Sequence, residues 1–237
     1  MARLLISVEG QTEETFVREV LRPHLQNFGF SAVDARLMGN VRQRSGRGGV
    51  RKWASIKAEL VRHLAQDRSA VLGMMVDYYG MPRSGDGAWP DRAAAAALPA
   101  QERGAAVERA IAREIASAMG TSFDQSRFAP CVVVHEFEGL LFSDCGAFAR
   151  SIGRLDLESR LQEIREQFGT PEEINDSPDT CPSSRVKALI PSYEKPLLGT
   201  LAALEIGLVK IARECRHFGQ WVTRLERIGE RRTEHMP

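Results

Sequence analysis

Apolar residues in this chain fall into short unbroken blocks separated by amphipathic stretches. Residues 3–8 (RLLISV) form the first block and end abruptly at Glu9-Gly10, which predicts a buried strand followed by a sharp turn. Thr12 is placed to cap the next helix, with Glu13 and Glu14 favourably sited at its positive end. Phe16, Val17, Val20, Leu21 and Leu25 then recur at helical spacing, and Pro23 predicts a kink or an early helix end. Residues 31–38 (SAVDARLM) read as a second strand entered through Gly29. A helix follows at 52–66, with Trp53, Ile56, Leu60 and Leu64 on one face, Trp53 being a core anchor. Residues 70–76 (AVLGMMV) make a third strand ending at Asp77, and 129–134 (APCVVV) a fourth, ending at His135-Glu136-Phe137-Glu138. Between these two strands lie a proline- and glycine-bearing loop at 78–99 and an alanine-rich helix that starts after Pro99.

Strand and helix alternate, and the strands lack polar alternation. The pattern predicts an α/β fold: a mostly parallel sheet buried on both sides, flanked by helices. Beyond residue 155 the periodicity is helical, at 155–168, 183–190 and 199–228, with a Pro/Asp/Ser stretch at 170–182. The expected organisation is an α/β core over residues 1–150 and a helical C-terminal extension over 151–237, packed on that core.

Composition narrows the class further. The chain has 237 residues, 43% hydrophobic and 27% charged, which excludes wholesale disorder. No apolar run approaches the roughly 18 residues that span a bilayer, and Glu9 leaves no room for a signal-peptide core. Neither membrane insertion nor secretion is expected. Four cysteines without a CxxC pair fit a reducing cytoplasm, with Cys131 packed as a small hydrophobe. The net charge of +1 leaves any nucleic-acid affinity to local patches.

The sharpest chemical signal is positional. Three predicted strands end in acid: Glu9, Asp77, and the pair Glu136 and Glu138. Ligands of open α/β sheets bind at the carboxyl ends of the strands. Carboxylates that converge there repel one another unless a cation sits among them, and an all-oxygen donor set without a Cys or His cluster favours Mg²⁺ or Mn²⁺. The bland alternative is that each acid caps the helix after its strand. Gly10 allows the sharp turn and leaves space beside Glu9. A second signal is the loop carrying Arg42, Arg44, Arg47, Arg51 and Lys52, five positive charges with no acid between them. With Gly46, Gly48 and Gly49 it suits sequence-independent contact to a phosphate backbone, or else is simply a solvated loop. No GxxxxGK[ST] or GxGxxG element is present, which argues against ATP hydrolysis and dinucleotide binding. His217 and Trp221 share a helix face suited to core packing, and His135 suits a hydrogen-bonded structural role.

The stretches VEGQTEETF, VDYYG and HEFEGLLFSD resemble the Rossmann-like Toprim fold in the version found in OLD-family nucleases. With SSRVKALIPSYEKPLLG and CRHFGQWVTRLE, most of the chain resembles a bacterial family of that clan, domain-of-unknown-function family 4276. The resemblance implies in-line hydrolysis of nucleic-acid phosphodiesters assisted by Mg²⁺ or Mn²⁺. Glu9 then corresponds to the Toprim glutamate and Asp77 to the first acid of the DxD motif. The second acid is missing, with Tyr79 in its place, and Glu136 or Glu138 would replace it. Lys195 would neutralise charge on the phosphate, with Arg185 and Lys187 nearby on the nucleic acid. Glu13 is read as a helix-dipole residue, although one helical turn into its element it could reach the site. From the residues alone Lys195 suits a surface role equally well, with Pro191 and Pro196 bracketing a loop. The family's genomic association implies phage defence beside an ATPase partner. The missing acid keeps open a catalytically inactive module that binds nucleic acid or a partner protein. On either reading, charge reversal at Arg44 and Arg47 weakens nucleic-acid association in a salt-titrated binding assay; unchanged binding would remove the loop from the interface.

Overall fold

The blocks at 71–77 and 128–133 become strands buried throughout. The strand at 30–37, on the sheet edge, exposes Ser31, Asp34 and Arg36 and is not buried on both sides as expected, its polar side chains keeping to water. The computed structural model describes residues 2–39, 52–175 and 177–234, with β1 at Ala2–Val8, β2 at Phe30–Leu37, β3 at Val71–Asp77 and β4 at Phe128–Val133. Among the described residues they form one sheet in the order β2-β1-β3-β4, and every pairing is parallel. Side-chain alternation sorts the strands into two layers. Leu4, Ile6 and Val8 of β1, Val71 and Met75 of β3, and Ala129, Cys131 and Val133 of β4 join one apolar cluster. Leu72, Met74 and Val76 of β3, with Phe128 and Val132 of β4, join the other.

The second cluster is closed by α3 (Trp53–Gln66) and α5 (Ala100–Met119), which bury Ile56, Leu60, Leu64, Val107, Ile111 and Ile115. Trp53 is buried as expected, its ring 5.1 Å from that of Trp89. A short helix α4 (Arg92–Ala95) interrupts the loop after β3. Here the buried Arg92 guanidinium stacks 3.5 Å over the Tyr78 ring.

The first cluster holds the N-terminal helices and most of the C-terminal ones. Helix α1 (Gln11–Phe16) begins at Gly10 with no side-chain cap, so Thr12 is not the cap predicted for it. Thr12 is one residue inside the helix and buried. Pro23 does not end the helix early. A π-helical turn, Val17–Leu21, precedes α2 (Arg22–Gln26), and the Arg22 N–H donates to the Val17 carbonyl. The wider turn takes up the clash and the missing N–H of proline, so the chain stays helical to Gln26.

After β4 come α6 (Phe137–Leu141), α7 (Cys145–Ser151), α8 (Glu158–Arg165) and α9 (Pro182–Leu189). The helix expected over 199–228 is three: α10 (Lys195–Ile206), α11 (Leu208–Glu214) and α12 (Arg216–Glu234). Gly207, at φ 81°, takes a left-handed conformation that ends α10, and Cys215 leaves helical geometry with ψ 85°. Pro196 does not bracket a loop. It occupies the first turn of α10, where a missing N–H costs nothing.

The apolar cluster runs without a break from Ala2 to Ile228, so the C-terminal helices share the core of the sheet. Helix α12 crosses the turn before β2 at Gly229. A Cβ there would stand 2.2 Å from the Phe28 carbonyl oxygen and 2.8 Å from the Phe30 ring. Gly229→Ala therefore overpacks this contact and costs about 1–3 kcal/mol. Thermal unfolding should register it as a Tm fall of roughly 3–10 °C; an unchanged Tm would mean that the helix is not held at this distance.

Candidate functional site

The strand order places the site. From β1 the chain moves to β2 on one side and then to β3 on the other, so the crevice between β1 and β3 at their carboxyl ends is a topological switch point. Val8, the last residue of β1, pairs with Met75, and Glu9 follows directly. Asp77 ends β3 opposite Val133 of β4, three residues before Glu136. Parallel pairing thus brings three acidic strand ends to one rim.

Hydrogen bonds hold the rim in place. The Asp77 N–H donates to Glu9 Oε2 at 3.3 Å, and the Phe137 N–H donates to Asp77 Oδ1 at 3.0 Å. The chain reverses at His135, whose φ of 24° lies in the left-handed region. His135 is buried, with Nδ1 against the Ile174 carbonyl, and its own carbonyl accepts from the Tyr79 N–H at 2.8 Å. That is the structural role expected of it, and it turns the following residues back over the sheet edge.

Lys195, the first residue of α10, enters from the solvent side. Its Nζ lies 3.1 Å from Glu138 Oε2, 3.4 Å from Asp77 Oδ2 and 3.8 Å from Glu13 Oε1. The three acids are buried, with side chains at most 9% exposed, whereas Lys195 keeps 34%. The Glu138 contact is an ion pair by distance without hydrogen-bond alignment, and neither Glu138 oxygen has a hydrogen-bond partner. Glu13 is therefore more than a helix-dipole residue: it lies in the first turn of α1 with its carboxylate inside the cluster. Of the two roles open to Glu13 from its place one helical turn into α1, reaching the site is the one the contacts support. Gly10 lacks a Cβ that would come 2.8 Å from Glu13 Oε2.

The electrostatics follow from burial. Desolvation, reinforced by Glu13, raises Glu9 to about 7 against the pull of Lys195 and the Asp77 N–H. Burial also drives Asp77 well above the carboxylate range and raises Glu138, Lys195 opposing in both. Burial acting alone would lower Lys195, but Asp77, Glu138 and Glu13 outweigh it and hold it protonated. More carboxyl groups are gathered here than one ammonium can hold ionised.

The other predicted residues are placed differently. Both Glu136 oxygens face Ser183 in the first turn of α9, accepting from its N–H at 2.8 Å and its Oγ at 3.1 Å. Arg185 donates to the Thr180 carbonyl at 2.7 Å and to Asn175, and stacks on Phe168. Lys187 is exposed on α9. Lys52 pairs with Asp86 on the surface, while Arg42, Arg44, Arg47 and Arg51 lie outside the described residues. His217 meets Glu108 at 2.8 Å and the buried Trp221 donates to the Ala129 carbonyl, both as packing groups. All four cysteines are free and buried.

Among the described residues no three His, Cys, Asp or Glu side chains stand ready as a metal-ligand group, and the Lys195 ammonium lies within 3.8 Å of three of the acids. The donor set nonetheless suits a hard divalent ion. It is all carboxylate oxygen, and Glu138 is buried with unpartnered oxygens. No described helix is long and apolar enough to cross a membrane.

Fold and site together define an α/β protein with a buried carboxylate cluster at the switch point of an all-parallel sheet. A family model described as a domain of unknown function, DUF4276, matches residues 8–226, and the chain belongs to that family. No curated protein and no solved structure matches it.

The Glu9 carboxyl makes stability depend on pH. It ionises near 4.5 in the unfolded chain and about 7 in the native one, so the native state binds more protons between those values. Stability from this group therefore falls as pH rises through that window. Glu9→Gln should flatten the fall of Tm across it in metal-free buffer; an unaltered profile would show that Glu9 is not buried among acids.

Proposed function

We propose that the chain is a Toprim-like, Mg²⁺- or Mn²⁺-dependent nuclease-like hydrolase of nucleic-acid phosphodiesters, working in the cytoplasm in phage defence beside an ATPase partner. The observation that carries this reading is the convergence of Glu9, Glu13, Asp77 and Glu138 on one point at the β1–β3 switch point. Crowded buried carboxylates are costly unless they serve a cation, and perturbed acids of this kind concentrate at functional sites.

Glu9, Asp77 and Glu138 are the residues that would hold the ion, with Glu13 supporting them. A bound divalent ion supplies charge that stabilises the phosphoryl oxygens during in-line displacement. Glu9, poised about 7, is matched to accept or return a proton near neutral pH. Among the described residues Lys195 is the cation directly among these acids that could neutralise a phosphate oxygen. Arg42, Arg44, Arg47, Arg51, Lys52, Arg185 and Lys187 would supply backbone contacts.

A second reading, an inactive nucleic-acid- or partner-binding module, draws on two observations. Tyr79 stands where the Toprim pattern has its second acid, and Glu136 is engaged by Ser183. Cleavage of nucleic-acid substrates with Mg²⁺ or Mn²⁺, with and without the ATPase, separates the two. Glu9→Ala should lower cleavage by about 10²–10⁴-fold and Asp77→Ala should take it to background, both with native circular dichroism. Cleavage retained in both variants would overturn the nuclease reading. Salt-dependent binding without cleavage by the unmodified protein would favour the module.

A further inference from the structure

We infer that the Lys195 ammonium and a divalent ion are alternative occupants of one space, so that Lys195 keeps the carboxylate cluster closed until a metal displaces it. This rests on the metal-site reading above and adds a competition within the chain itself.

Three observations carry it. First, Nζ is the shared neighbour of oxygens from three separate elements: Asp77 at the end of β3, Glu138 on α6 and Glu13 on α1. The ammonium sits at the position that a common ligand of those oxygens would take. Secondly, burial is graded. The Glu138 side chain is 0% exposed and Lys195 34%, so the lysine comes in from outside and covers the acids. Thirdly, the Glu138 oxygens are buried and make no aligned hydrogen bond even with Lys195 3.1 Å away. Their bonding capacity is incompletely used by the ammonium.

Departure of the lysine requires little rearrangement. Lys195 opens α10 after Glu194, whose φ and ψ of −99° and 103° are non-helical, and no side chain caps this end. Its four-carbon stem can swing to solvent through rotamer changes while Thr200, Ala202, Ala203 and Ile206 stay packed. A divalent ion cannot share the cluster with the ammonium at such short range without strong repulsion. Metal entry would therefore expel the lysine and leave its charge at the mouth of the site, where a phosphate group would arrive.

The test is Mn²⁺ binding by calorimetry at about pH 8, above the value of about 7 to which Glu9 is raised, on the full chain and on Lys195→Gln and Lys195→Arg. Removing the positive charge should tighten Mn²⁺ binding by at least about tenfold, while the arginine variant, which retains it, should not gain. Mn²⁺ should also raise the Tm of Lys195→Gln more than that of the unmodified protein. If Lys195→Gln does not fold alone, refolding with added Mn²⁺ reads the same gain. Equal or weaker binding by Lys195→Gln would overturn the competition while leaving the metal site intact. Binding by none of the three proteins would overturn the metal site and the competition with it.

Discussion

One ammonium set against several buried carboxylates is the interaction on which this molecule's chemistry depends. Lys195 touches Asp77, Glu138 and Glu13 from a helix that begins 118 residues after Asp77 in the chain. Without a cation there, burial would force most of these acids to keep their protons, and Glu9 is already raised to about 7. A pair of this kind is weak evidence of stabilisation, since desolvation offsets much of the attraction. Its value lies in arrangement: it holds hard oxygen donors in a dry place next to the open end of a sheet.

The fold makes that arrangement possible. An all-parallel sheet sends every strand end to the same rim, so residues far apart in sequence become neighbours there. The C-terminal helices extend the same apolar cluster, with Phe218, Trp221 and Leu225 beside Phe16, Leu21 and Val133. Helix α12 is anchored at its start by Glu172, whose carboxylate accepts the His217 and Phe218 N–H groups, both at 3.0 Å. Through this core, helix α10 and its Lys195 are fixed relative to the strands. A lysine on a separate, loosely attached unit could not keep three contacts at once.

Much of this was legible before any coordinates. The four strands lie within one or two residues of their expected places, because three are nearly unbroken apolar blocks and the second, FSAVDARL, is entered through Gly29 and left at Gly39. Glu9, Asp77 and Glu138 stood out because acids directly after such blocks are where an α/β sheet places ligands. The misjudgements came from local rules overridden by packing. Thr12 fits a cap by type, yet its methyl packs near Gly199 of α10. Pro23 should have broken a helix, but a π turn absorbed it. The long helix after 199 was split by Gly207 and Cys215, whose backbone angles no periodicity predicts.

Hydrophobic patterning alone determined that the chain is α/β, that its central strands are buried, and that three strand ends carry acid. These follow from short-range rules about which side chains leave water together. Only the tertiary structure decided that Glu13 turns inward, that Glu136 turns away to Ser183, and that Lys195 fills the space among the remaining carboxylates. Those outcomes depend on which helix end faces which strand end. That is set by the summed packing of the whole core and by the balance of charges brought together once water is excluded, and neither is visible from neighbours in sequence.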